Sequence, residues 1–495
     1  MSPNDPRMAK NCDGDHKEGE PDCSREVSQN HQIDYRVTTP FSRFEKIMAS
    51  SPIRLSAPYL GICKAGEPTP DSLEECNRLL QLNHETYHMF FRDRAGHNHI
   101  AHSLLTILAL GANPQDLRDR YDDGVPIQRL IPEIDHALLD KLADAETFLS
   151  TMTEITQYHT FLEFFKREIA ATGWKEVVQK YVFARTKVAD TMLARLYEGA
   201  FHPIIHLGLG VEFQQPSIVA EALAQAASHD SSDIDKLLQN AEQEAGIIYP
   251  TAKPKPLIQL IHEVRASETI RKAPQWSDFG NKMRDGVVGR AGEDMSALAA
   301  QFRIRNDDEK ELERRTAEMI STGAYFAGAS SRREGRQRKI DFFYMHNVTA
   351  SLFISVLARQ DWISLVDRVR VVEWKARLDL AWYAVSGSAQ LDGDNISAYS
   401  DPESDGLGWA ELFRDVIKEH DDGHAPKFIR ALKHGEEVSR EFEGSEWGAY
   451  FPMKGDMWLR LARLCQDTTK GRPTDLKWIP FIGFEQPWKR PDLVI

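Results

Sequence analysis

Histidines gather at the start of an apolar helical pattern in residues 96–112, GHNHIAHSLLTILALGA. On a helix, His99 and His102 share a face with small polar side chains, opposite the apolar stripe. Imidazole nitrogens bind transition metals, and this face leaves room for a metal or another ligand. Histidines that cap or line the start of a helix are the structural alternative for this stretch.

A second histidine pair lies in residues 198–213, EGAFHPIIHLGLGVEF, where His202 and His206 are four positions apart. Pro203 suits the first turn of a helix, which would direct both rings to the same side. Because the neighbours are apolar, burying two imidazoles requires polar partners. This spacing therefore favours metal ligation.

A third stretch, residues 341–358 (DFFYMHNVTASLFISVLA), carries His346 near the start of an apolar helix. A lone histidine there is more often a core residue than a ligand, so its interpretation depends on the other two stretches. Neutral imidazoles suit iron, copper, zinc or nickel. They leave the charge of a buried divalent metal uncompensated, so the site also needs an anion.

Three side chains are candidates for that anion. Glu212 lies in the second stretch, Glu221 follows it, and Lys375 faces inward in residues 368–384, RVRVVEWKARLDLAWYA. A buried lysine loses its proton readily, and a neutral amine can take up carbon dioxide as a carbamate, which is an anionic ligand. The alternative is a lysine that reaches the surface or pairs with Asp379.

The elements that must position these residues are helices. Apolar residues recur at spacings of three and four almost throughout, whereas strand alternation is scarce. We therefore expect an all-α fold with long surface loops, in which residues 35–495 form a single large multi-helix catalytic domain. Residues 1–34 are polar and predict a disordered tail. Residues 330–339 and 387–408 predict surface loops, the first with a solvated basic cluster.

Composition narrows the class of protein. A formal charge of −14 argues against a nucleic-acid or anionic-membrane binder and favours a small-molecule partner. The five cysteines are scattered, as expected for reduced thiols. Apolar runs fall short of the roughly 20 residues that span a membrane, and the N-terminus is polar. We expect a cytoplasmic enzyme.

Five stretches together resemble the fungal questin oxidase-like family: GHNHIAHSLLTILALGA, FHPIIHLGLGVEF with VAEALAQAA, FYMHNVTASLF, EWKARLDLAWYA and DDGHAPKFIRAL. The resemblance extends from about residue 40 to the C-terminus. Members of this family act on polyketide-derived anthraquinones and have been labelled Baeyer–Villiger oxidases. The similarity is greatest to anthraquinone ring-opening dioxygenases, in which four histidines and a carboxylated lysine hold iron.

The resemblance implies a ligand set on this chain: His202, His206, His346, Lys375 as the carboxylated catalytic residue, and either His99 or His102. Of the last two, His102 lies deeper in its helix and is preferred, and the other would orient a ligand or a bound water. Three more histidines lie in family-like stretches and are candidates for the surroundings of the metal or the substrate pocket: His84, His88 and His424.

The activity that the resemblance implies is an Fe(II)-dependent dioxygenase of fungal secondary metabolism, with O2 as co-substrate. It would open the central ring of a questin-like anthraquinone, taken as its hydroquinone, to a benzophenone. The chain lacks a G-x-G-x-x-G motif after a strand and a βαβ pattern. A separate NADPH-dependent reductase is therefore the expected source of the hydroquinone.

Three alternatives stay open from the sequence. One is an NADPH-linked Baeyer–Villiger-type oxidase of polyketides, and another is a non-catalytic helical ligand-binding protein. The third is a ferritin-like di-iron oxygenase. That class needs paired Glu-x-x-His motifs, of which only Glu85 to His88 fits. The metal content distinguishes them, with one iron per chain for the ring-opening enzyme, two for the di-iron site and none for the binding protein.

Overall fold

The computed structural model describes residues 52–93, 96–247 and 253–495. Most of these residues are helical, and within those ranges β pairing is limited to isolated bridges. The prediction of an all-α fold is confirmed. The described residues belong to one compact unit. The segment 1–34, for which the sequence predicts disorder, lies outside the described residues.

The helices occupy nearly the whole described chain. In the first half they are α1 (Pro70–Thr86), α2 (Ile100–Ala109), α3 (Pro114–Gly124), α4 (His136–Leu139), α5 (Ala145–Thr151), α6 (Tyr158–Thr172), α7 (Trp174–Val178), α8 (Lys187–Leu196), α9 (Glu198–Glu212), α10 (Pro216–Ser228) and α11 (Ile234–Ile247). In the second half they are α12 (Leu257–Ala266), α13 (Glu268–Lys272), α14 (Gly289–Ala299), α15 (Glu309–Ala329), α16 (Phe342–Ala358), α17 (Leu365–Val385), α18 (Asp394–Ser397), α19 (Trp409–Val416), α20 (His424–Glu443), α21 (Met457–Thr469) and α22 (Thr474–Lys477). Within the described ranges, no helix combines the length and apolarity needed to cross a membrane.

Four of these helices form the centre of the molecule. Helix α9 packs against α16, α20 packs against both α16 and α2, and α2 also contacts α9. Nearly every residue of α9 and α16 is buried, as expected for helices that are apolar on all sides. These four helices therefore enclose the most deeply buried part of the fold.

Residues 330–339 and 387–408 contain little regular structure apart from α18. The predicted solvated basic cluster of the first segment is wrong for Lys339, which is buried. Its Nζ donates hydrogen bonds to the carbonyl oxygens of Thr468 and Leu476, at 2.9 and 2.7 Å. These backbone acceptors replace water, so Lys339 anchors the C-terminal part of the chain.

Candidate metal centre

One histidine from each of the four central helices meets the others in a single buried group. His99, His202, His346 and His424 each offer a nitrogen, and these four atoms lie within 4.8 Å of one another. His99 immediately precedes α2 and His424 is the first residue of α20. His202 and His346 are the fifth residues of α9 and α16, so all four histidines lie near the starts of their helices.

The backbone orients three of these rings. The Nδ1 atom of His346 lies 2.7 Å from the carbonyl oxygen of Phe342, and Nδ1 of His424 lies 2.8 Å from that of Asp421. His202 makes the same kind of contact with the turn that precedes it. Because a carbonyl oxygen only accepts, each Nδ1 carries the proton and each Nε2 keeps its lone pair.

The ring nitrogens that do not contact the backbone are arranged so that they could bind a metal ion. The Nε2 atoms of His346 and His424 are buried and have no hydrogen-bond partner among the described residues. Nε2 of His99 and Nε2 of His202 face each other at 2.8 Å, a separation compatible with two ligands about 2.0–2.1 Å from one ion. A buried polar atom without a partner costs about 1–3 kcal/mol, which metal coordination would remove.

A strained turn leads into His202. Gly199, Ala200 and Phe201 all have left-handed backbone angles, with φ of 55°, 54° and 69°. For residues other than glycine this conformation costs roughly 1–2 kcal/mol each. A Cβ atom on Gly199 would lie 2.2 Å from Nε2 of His229, so the position requires glycine for space as well. Such strain persists where the surrounding structure enforces it, typically at functional sites.

The four rings are neutral at ordinary pH. Burial lowers the pKa of each well below the usual value for histidine, and the positive charge of Lys427 lowers all four further. Neutral imidazole is the form that binds metals. The helix starts that carry His99 and His424 add positive ends of helix dipoles, so the site favours a negatively charged partner.

Lys427 lies three residues after His424, on the same face of α20. It is 2% exposed, and its Nζ has no hydrogen-bond partner among the described residues. Burial lowers the pKa of Lys427 to about 8, against the opposing effect of Asp421 and Asp422. A substantial fraction of this lysine is therefore a neutral, nucleophilic amine near pH 8.

Lys375 faces inward on α17, as the sequence predicts, and is fully buried. Its Nζ lies 2.5 Å from Oδ1 of Asp379, one turn later on α17, and 4.8 Å from the centre of the Phe201 ring. The group of four histidines does not include it. These contacts match the alternative considered for Lys375, a pair with Asp379. Such a pair is expected because a buried ammonium needs a buried carboxylate beside it.

His102 and His206 are also outside the group of four, and they contact each other instead, with 3.1 Å between Nε2 of His102 and Nδ1 of His206. They lie one helical turn beyond His99 and His202 on the same two helices, so they form a second layer. The geometry thus favours His99 over the preferred His102, and it places His424 in the group where His206 was expected.

His424 and Lys427 are candidate functional residues that sequence reasoning did not identify as ligands. Their stretch, DDGHAPKFIRAL, contributed to the family resemblance, but His424 was considered only for the surroundings of the metal. The available signal was a histidine and a lysine at a spacing of three at the start of an amphipathic helix. His88 is not part of the group of four; its ring contacts the carbonyl oxygen of Ile155, the amide of Phe90 and the ring of Tyr158.

The fold and the site together define an all-helical protein with a buried, histidine-rich candidate site for a transition metal. The chain belongs to the questin oxidase-like family, whose match covers residues 96–432. It is 72% identical to the Baeyer-Villiger monooxygenase dmxR6 of Cryptosporiopsis sp., over 90% of this chain and 100% of that protein. It is 47% identical to a questin oxidase of Aspergillus terreus, over 88% of this chain and 96% of that protein. These relatives place the chain among the oxidoreductases.

Proposed function

We propose that this chain is an iron-dependent oxygenase that opens the central ring of a polyketide-derived anthraquinone, taken as its hydroquinone, to a benzophenone. The observation that carries this proposal is the buried group of four histidines whose ring nitrogens face one another. The relatives named questin oxidase support a substrate of the questin type. The family as a whole supports the use of dioxygen.

His99, His202, His346 and His424 would hold the metal. Imidazole ligands suit several transition metals, and iron is the choice that matches oxidase chemistry. When bound, ferrous iron supplies the one-electron chemistry that lets dioxygen react with a closed-shell aromatic ring. The chain supplies position: carbonyl groups fix three imidazole rings, the strained turn at residues 199–201 aligns His202, and the buried surroundings exclude water.

Lys427 would supply the anion, in place of Lys375. Its neutral amine can form an N–C bond to carbon dioxide and release one proton, which converts the lysine into a carbamate. Four neutral imidazoles leave a divalent ion uncompensated in the interior, and an ammonium beside it would be worse. A carbamate relieves both problems. It also matches the positive helix ends at His99 and His424.

A separate NADPH-dependent reductase would prepare the hydroquinone. Within the described ranges the chain is helical, and the βαβ unit that usually binds a nicotinamide cofactor is not present. The proposal therefore assigns reduction of the quinone and cleavage of the ring to two proteins. The chain described here needs only the reduced aromatic substrate and dioxygen.

A second candidate function follows from the relatives named Baeyer-Villiger oxidases. In that chemistry one oxygen atom enters the ring beside a carbonyl group, and hydrolysis of the resulting ester opens the ring. Incubation with 18O2 separates the two reactions. A dioxygenase transfers both labelled atoms to the ring-opened product, whereas Baeyer–Villiger insertion transfers one and water supplies the other.

The test is reconstitution of the purified full chain with ferrous iron under anaerobic conditions, followed by a chemically reduced questin-type hydroquinone and 18O2. One iron per chain and two labelled oxygen atoms in the benzophenone are expected. The variant His346→Gln should lose iron. The matched control His136→Gln, at an exposed position, should keep it. Wild-type protein that binds no metal and consumes no oxygen would contradict the proposal.

A further inference from the structure

A chain of hydrogen bonds runs through the second layer of histidines and ends at a buried carboxylate. Oε2 of Glu221 lies 2.7 Å from Nε2 of His206, and Oε1 lies 2.6 Å from Nδ1 of His84. Nδ1 of His206 is in turn 3.1 Å from Nε2 of His102. The four side chains come from α1, α2, α9 and α10, and each is at most 4% exposed.

The carboxylate sets the direction of these hydrogen bonds. Burial by itself raises the pKa of Glu221, but hydrogen bonds from His206 and His84 outweigh it and lower the pKa to about 2. An ionised carboxylate only accepts, so His206 donates from Nε2. When the His206 ring carries a single proton, at Nε2, its Nδ1 accepts from Nε2 of His102. His102 is left with an unprotonated Nδ1, which has no partner among the described residues.

The far end of this chain lies against two of the proposed metal ligands. The ring of His102 is nearly parallel to that of His202, with centroids 6.1 Å apart and 15° between planes. It stands almost perpendicular to the ring of His99, at 5.7 Å and 85°. The ring of His102 is therefore a neighbour of both ligand rings.

We propose that Glu221 is a positioning residue for the metal centre, which acts through His206 to hold His102 in one tautomer and one orientation against His99 and His202. This inference rests on the proposed function. Without the carboxylate, nothing fixes which ring nitrogen of His206 carries the proton and donates. The tautomer of His102 is then no longer determined either. The ligand rings then lose part of their preorganisation, and the affinity for metal falls.

The experiment compares wild-type protein with Glu221→Gln, which keeps the shape of the side chain and removes its charge. Long-range 1H–15N NMR of the metal-free full chain, with labelled histidine, reports the tautomer of each ring. Signals of His102 and His206 are assigned with the variants His102→Gln and His206→Gln. Ferrous iron affinity is measured in parallel by anaerobic competition with a chromophoric chelator.

In the wild-type protein we expect His102 to be protonated at Nε2. The amide of Glu221→Gln can present either its oxygen or its NH2 group to His206. We therefore expect both tautomers of His102 to be populated and iron to bind about 10–100-fold more weakly, the usual effect of removing a group that orients metal ligands. The matched control is Glu318→Gln on α15, a buried carboxylate that contacts Arg315. The control should keep both the tautomer of His102 and the affinity for iron.

Three outcomes would overturn the inference. One is a wild-type His102 protonated at Nδ1, which does not depend on the Glu221 variant and therefore decides the matter even if Glu221→Gln does not fold. The second is a folded Glu221→Gln protein with unchanged tautomers and affinity. The third is a His206→Gln protein, in which the chain is broken at its middle, that binds iron as tightly as wild type. Wild-type protein that binds no metal would instead contradict the proposed function.

Discussion

His424 and Lys427 lie one turn apart at the start of α20, and each presents a buried side-chain nitrogen with no hydrogen-bond partner among the described residues. Helix α20 packs against α2 and α16, the helices associated with His99 and His346. One helix therefore brings both a neutral imidazole and a lysine of lowered pKa to the same place. This relationship leads to the first prediction.

Replacing Lys427 with Met should abolish the carbamate and lower turnover by about 100-fold, because the metal loses its anionic partner. Zinc-loaded protein equilibrated with 13C-labelled carbon dioxide should show one carbamate carbon signal by 13C NMR, which the variant lacks. The matched control is Lys433→Met on the same helix, where the lysine pairs with Glu436. Full activity of Lys427→Met would refute the role of Lys427.

Replacing Lys375 with Ala should destabilise the protein by about 3–5 kcal/mol, because it leaves the carboxylate of Asp379 buried without its partner. Urea denaturation measures the free energy of unfolding. The double variant Lys375→Met with Asp379→Leu should recover most of that stability, since it removes both charges. Both folded proteins should still bind one iron, and loss of iron with intact stability would restore Lys375 as a ligand candidate.

Replacing Gly199 with Ala should disrupt the site, because the new Cβ would lie 2.2 Å from Nε2 of His229 in a left-handed backbone. We expect a loss of several kcal/mol in unfolding free energy and weaker iron binding. Gly292, inside α14, has open space where a Cβ would be. Gly292→Ala should be neutral or more stable by about 0.5–1 kcal/mol, and equal thermal stability of the two variants would contradict the close packing at Gly199.

His434 predicts a dependence of stability on pH. Burial, followed by the charges of Arg359 and Arg430, lowers its pKa to about 3 in the folded protein, against about 6.5 when unfolded. Below pH 6.5 the unfolded chain therefore binds the extra proton, and stability falls as the pH is lowered toward 3. The slope is about 1.4 kcal/mol per pH unit for this residue.

Denaturation of the metal-free protein at pH 7, 6 and 5 measures this effect. Between pH 6 and pH 5 the free energy of unfolding should fall less in His434→Gln than in wild type. The difference should be close to about 1.4 kcal/mol, the effect of one proton over one pH unit. Replacement of exposed His136 should leave the wild-type pH dependence unchanged. A His434→Gln protein with the same slope as wild type would show that this ring does not remain neutral in the folded state.

The helices and most of their buried histidines could be predicted from the sequence. The three-and-four spacing of apolar residues reflects a local periodicity, so α2, α9 and α16 are recognisable without tertiary contacts. Within them, His99, His202 and His346 were identified as candidates because a polar ring in an apolar helix needs a partner. The family resemblance supplied the expectation of four histidines and a lysine.

The tertiary structure decided which of the candidate histidines and lysines come together. His99 and His102, like His202 and His206, lie on the same helix faces, so periodicity cannot say which turn meets α16 and α20. Lys375 and Lys427 both face inward on their helices. Only packing shows that Lys375 has a carboxylate beside it, while Nζ of Lys427 has no hydrogen-bond partner in the described part of the chain. Such choices depend on contacts between residues far apart in the chain, which local patterns do not encode.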